Sequence, residues 1–126
     1  MRTVSFLAIA ALLAGCASVS TVDGSRCVSH SSSEEVVEGV QVFNSGWKLF
    51  SCIPLASGDP KNPNLPTCHF FTNTVTLQNQ VEMLEAEARR VGARKADNVI
   101  TSYSSERVLL FLLLREKIIT SAMLVK

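Results

Sequence analysis

Apolar positions change their period several times along this chain, and each change marks an element. From Val4 to Ala14 the run is apolar apart from Ser5. Residues 17–35 are rich in Ser and poor in large apolar side chains, the composition of a segment that cannot bury enough surface to offset its ordering entropy, so a flexible tether is expected over 16–35. From Val36, "VVEGVQVF" and "WKLFSCIPL" are two β-prone runs. Asn44, Ser45 and Gly46 between them predict a three-residue hairpin loop with Gly46 in the left-handed region. On the second run Trp47, Leu49, Ser51 and Ile53 share one face, and Trp47 is expected to anchor a core or an edge. "ASGDPKNPNLPT" then holds three of the four prolines and predicts an irregular loop.

The period turns helical after Thr74. Leu77, Val81, Leu84, Ala88 and Val91 recur at steps of four, three, four and three, a single stripe that predicts a helix lying on a sheet. Thr74 or Thr76 is placed to cap its start and Gly92 its end, and Glu85 with Arg89 stands at the favourable i, i+4 order. Beyond it, "DNVITSYSSERV" and "REKIITSAMLVK" read as two further strands. The expected fold is therefore α+β: a four-stranded antiparallel sheet in the order strand, strand, helix, strand, strand, with one covering helix over residues 36–126. Between the last two strands lie Leu109, Leu110, Phe111, Leu112, Leu113 and Leu114, where a turn is expected to be polar. Two readings stay open: these residues extend the strands and are buried on both faces, or they form an exposed patch for a protein partner or a bilayer.

The first apolar run is too short to span a membrane, which takes about 20 such residues. A single cation, Arg2, precedes it, as in an export signal. Leu13, Ala14, Gly15 and Cys16 resemble the lipobox of bacterial lipoproteins. That resemblance implies a signal peptide over 1–15, a diacylglyceryl group on the Cys16 thiol and an acylated amine on the same residue. Ala17, not being Asp, implies sorting to the outer membrane, with the domain on its periplasmic face. The half from Cys68 onward, with "AEARRVGARKADNVITSYSS" and the closing "IITSAMLVK", resembles small envelope lipoproteins of the RcsF and YbjQ-like α+β type. Proteins like RcsF carry two disulfides, a pattern this chain does not repeat because no cysteine follows Cys68.

Charge narrows the partners. Loss of Arg2 with the signal leaves eleven basic and eleven acidic residues, so no electrostatic case for nucleic acid exists. Of the remaining cysteines, Cys52 and Cys68 bracket the proline-rich loop, and an oxidising compartment favours a bridge between them. Cys27 is then left over in the tether, where His30 reads as a solvated residue. The alternative is an envelope sensor, or a metal or thiol module, built from Cys52, Cys68 and His69. No C-x-x-C pair supports it. G-x-S-x-G, H-E-x-x-H and phosphate-binding glycine loops are likewise absent, so no catalytic residue, cofactor, metal or small-molecule substrate is expected. The sequence-level expectation is a non-catalytic accessory or interaction protein of the envelope, held to the membrane by lipid.

Overall fold

The computed structural model describes residues 16–24 and 35–126. The expected signal peptide, Cys27 and His30 lie outside the described residues. Among the described residues six strands and one helix follow in the order β1 (Ala17–Asp23), β2 (Val36–Leu49), β3 (Ile53–Gly58), β4 (Cys68–Phe70), α1 (Leu77–Val91), β5 (Lys95–Leu109) and β6 (Leu113–Val125). The fold is α+β with a single antiparallel sheet, but the sheet has six strands where four were expected. The two additions are β1, drawn from the expected tether, and the short β4.

The sheet order is β4-β3-β2-β6-β5, with β1 also paired to β2. Strand β6 lies along the whole of β2, whereas β1 takes Glu38 to Asn44 and β3 takes Gly46 to Leu49 on the other edge. Consequently β1 and β3 lie end to end, and the chain at Cys16 emerges at their junction. Gly58 makes the junction possible. A Cβ there would collide with the backbone of Cys16 and Ala17, so only glycine allows this approach.

The expected hairpin loop at Asn44, Ser45 and Gly46 is instead the buried middle of β2. Asn44 is 0% exposed, and its amide Nδ2 donates to the Thr74 carbonyl at 2.7 Å. Ser45 takes its place by bonding Cys16: its N–H donates to the Cys16 carbonyl at 2.9 Å, and its Oγ accepts the Cys16 N–H at 3.2 Å. These residues have the composition of a loop because they tie three chain segments together, and periodicity carries no sign of that. The turn falls later, at residues 50–52.

Helix α1 starts and stops as its sequence suggests. The Thr76 side chain accepts the Asn79 N–H, and Gly92 at φ 72° ends the helix in the left-handed conformation. The buried arc is Gln80, Met83 and Leu84, with Ala88 and Val91 packed beside it. Leu77 and Val81 stay exposed. At 100° per residue, that arc is rotated roughly 60° from the expected stripe. Met83, long and flexible enough to fill an irregular gap, takes the interior place that Val81 was expected to hold.

Beneath α1 the core is Ala17, Val40, Val42, Ala122 and Leu124 with Met83 and Leu84. Strand residues alternate between faces, so Phe43, Trp47, Ile119 and Met123 point to the other side of the sheet, where all four are half-buried. No helix or strand among the described residues packs on that face.

Candidate functional site

Three features define what this surface can do: the setting of Cys16, the paired hairpin tips, and the loop after β3. Cys16 is exposed, and its Sγ lies 3.9 Å from Ser45 Oγ. Ala17 next to it is a core residue facing α1, so the Cys16 thiol emerges on the opposite, uncovered face of the sheet. The tether expected over 16–35 is therefore a strand across 17–23, sewn to β2 over seven residue pairs. Its outer edge is capped as well: the Asn64 N–H donates to the Ala17 carbonyl at 2.9 Å, and Asn64 Oδ1 accepts the Val19 N–H at 2.9 Å.

The second feature answers the question left open at 109–114. Leu109 is the last residue of β5 and Leu113 the first of β6, so Leu110, Phe111 and Leu112 are the turn between them. Leu110 is 81% exposed and Phe111 72%, while Leu112, Leu113 and Leu114 are half-buried. The reading in which all six extend the strands and are buried on both faces fails at the tip, because a turn closed by the Leu112 N–H donating to the Leu109 carbonyl at 2.8 Å directs its central side chains outward. The neighbouring β2–β3 turn stands beside it, and the Phe50 N–H donates to the Leu112 carbonyl at 2.9 Å. Phe50 is half exposed.

The two tips share a further property. Phe50 has φ 51°, Ser51 φ 63° and Leu110 φ 45°. Left-handed backbone at a residue with a side chain costs about 1–2 kcal/mol, and turns of this kind favour Gly or Asn. At two of these three positions this protein instead puts a large apolar side chain, Phe50 and Leu110, and leaves it in solvent. Behind the tips, the Arg115 guanidinium lies 5.5 Å from the Trp47 ring centroid, a cation–π contact on the uncovered face. On the other face Lys48 Nζ pairs with Glu116 at 2.8 Å. Burial, with Glu116 close by, raises the Tyr103 hydroxyl to about 12.

The third feature is polar. Asp59 Oδ1 accepts the Lys61 N–H at 3.0 Å, Oδ2 accepts Asn62 Nδ2 at 2.8 Å, and His69 Nε2 lies 3.3 Å from Oδ1. The Asn62 bond leads in holding the carboxyl down at about 2, against an ordinary 3.8. These contacts bind the loop to itself and account for Asp59 and His69 without a ligand.

The expected Cys52–Cys68 bridge is not formed, and both residues are free thiols. The register gives the reason. Cys52 lies in the turn before β3, whereas Cys68 pairs across from Gly58 at the far end of the same strand. A six-residue strand separates them by roughly 20 Å, well beyond the ~7 Å Cα limit for a bridge. The same separation takes Cys52 away from His69, so the alternative metal or thiol grouping of Cys52, Cys68 and His69 is not assembled. Among the described residues no cluster of three or more His, Cys, Asp or Glu side chains is placed to hold a metal ion.

On the uncovered face an open groove of ≈ 460 Å³ runs between Val22, Gly39, Ile100 and Met123. Strand β5 beside it pairs only with β6 among the described residues. Sequence reasoning missed both, because the groove requires β1, which was read as tether. No helix among the described residues is long and apolar enough to cross a membrane. No protein-family model matches the chain, and neither a curated protein nor a solved structure matches it.

Proposed function

We propose that this chain is a bacterial outer-membrane lipoprotein, anchored by acyl groups on Cys16 with its domain on the periplasmic face, and that it works without catalysis as an envelope accessory or protein-interaction module. The observation that carries this reading is the position of Cys16. It is exposed at the start of β1, and every strand pairing of the sheet lies after it. Cleavage before Cys16 would leave the described fold intact, with the thiol open to the modifying enzymes. Each buried methylene of an acyl chain contributes about 0.8 kcal/mol, so two or three chains hold the protein stably. Anchoring also raises the effective concentration for a partner in the same membrane, so a modest binding surface suffices. The cysteines at 52 and 68 have no part in this reading.

Intact mass of the protein from its native membrane fraction, alkylated without reduction, tests it directly. The expected result is a chain beginning at Cys16 with an acyl-glyceryl adduct and with Cys52 and Cys68 both alkylated. A chain that retains residues 1–15, or one that begins at Cys16 without the adduct, overturns the anchor.

A further inference from the structure

We propose that the two hairpin tips, Phe50 on one side and Leu110 with Phe111 on the other, form a second membrane contact that seats the domain directly on the bilayer carrying its lipid. The inference rests on the lipoprotein reading and adds an orientation to it. Its first ground is the absence of slack at the anchor. Cys16 is bonded through its own N–H and carbonyl to Ser45, so a lipid on its thiol leaves no flexible chain between sheet and membrane. The thiol emerges on the uncovered face, and from Ser45 to Phe50 is five residues along β2, roughly 17 Å. A domain held so closely keeps its tips within reach of the same surface.

The chemistry of the tips supplies the second ground. They expose aromatic and aliphatic side chains at turn positions where polar residues would ordinarily stand. That is the composition of a segment that enters the boundary between headgroups and acyl chains. Charge nearby has the matching sign. The ends of β2, β5 and β6 next to the tips carry Lys48, Arg107, Arg115 and Lys117 against Glu106 and Glu116. Lys48 pairs with Glu116 and Lys117 with Glu106, which leaves Arg107 and Arg115 as the cationic excess. An anionic lipid headgroup is the complement of an apolar knob backed by such an excess.

The chain holds one tryptophan, so its fluorescence can be moved to the site in question. In a W47F background, F111W places the indole at a tip, and V81W places it on the exposed helix surface across the sheet. Both lipidated proteins are reconstituted in vesicles of phosphatidylethanolamine with phosphatidylglycerol, with and without bromine on the upper acyl chain, and the Cys16 adduct is checked by mass. The expected result is a blue shift and loss of most emission for F111W with brominated lipid, and neither change for V81W. Equal emission from both proteins, with the adduct present, overturns the tip contact and leaves the anchor standing. A F111W blue shift already complete in detergent, together with a doubled mass by light scattering, overturns it in favour of a contact between two copies. Absence of the adduct removes the anchor and this inference with it. F111W alters a residue that is 72% exposed, and circular dichroism on each variant reports folding independently.

Discussion

The part of the sheet under α1 and the part that ends in the hairpin tips share β2 and β6, yet they treat apolar residues in opposite ways. Under the helix, Val40, Val42, Ala122 and Leu124 are sealed against Met83 and Leu84, and Leu124 and Val42 are wholly inaccessible. At the tips, Leu110 and Phe111 are as apolar and are left in solvent. What separates the two regions is whether another element lies above, and α1 packs mainly on β2 and β6, over the core cluster.

Truncation at matched positions breaks or sharpens that contrast, with the largest expected effect in the core. Leu124→Ala removes a fully buried side chain and is expected to cost about 2–5 kcal/mol in urea unfolding. Leu110→Ala, at 81% exposure, is expected to stay within about 0.5 kcal/mol of the parent. Equal costs at the two positions would mean that the tip is packed and the contrast is false.

The next effect belongs to the polar seam between the two regions. Asn44→Ala deletes the amide that donates to the Thr74 carbonyl at 2.7 Å and to Thr74 Oγ1 at 3.2 Å. The Thr74 carbonyl keeps its bonds from Asn79 Nδ2 at 2.8 Å and the Thr76 N–H at 2.9 Å, so what is lost is the link to β2 itself. A cost of about 0.5–1.5 kcal/mol, the net contribution of an ordinary hydrogen bond, is expected from the same urea measurement. The unpartnered Asn44 Oδ1 places the expectation toward the lower end of that range, since the substitution also removes a buried orphan. An unchanged midpoint would show that Asn44 does not tie β2 to the segment ahead of α1.

Asn44 also marks where sequence reasoning stops. Helix α1 was legible because its signals are local: Thr76 caps within three residues, Gly92 follows the last turn, and Glu85 meets Arg89 at 3.5 Å. Strands β5 and β6 were legible for the same reason. The middle of β2 was not, because Asn, Ser and Gly in sequence read as a turn, and their partners, Thr74 and Cys16, lie about thirty residues away. Strand β1 was hidden by its serines. On a strand with one sealed face only every second residue has to be apolar, and Ala17 and Val19 meet that need while Ser18 and Ser20 point away. As for the site, Cys16 and the apolar run were visible in the sequence, but the seating of Cys16 on Ser45 and the pairing of the two tips are long-range facts.

The smallest expected effect concerns Asp59, whose loop flanks the sealed end of the sheet through Asn64. The Asn62 and Lys61 donors hold its carboxyl at about 2 when folded, while an unfolded chain has the ordinary 3.8. Between those values the unfolded chain binds more protons, so stability rises with pH across that window. The contribution is whole above 3.8, declines as pH falls, and is lost once the folded carboxyl protonates near 2. Asp59→Asn removes the ionisation and should flatten acid unfolding in that interval, with little change in the neutral midpoint. The same acid titration on Phe111→Ser is expected to match the parent, because the substitution neither adds nor removes an ionisable group. A parent curve unaffected by Asp59→Asn would show that the loop closes without its carboxylate. The capping of β1 by the Asn64 N–H and Oδ1 would then stand independently of Asp59.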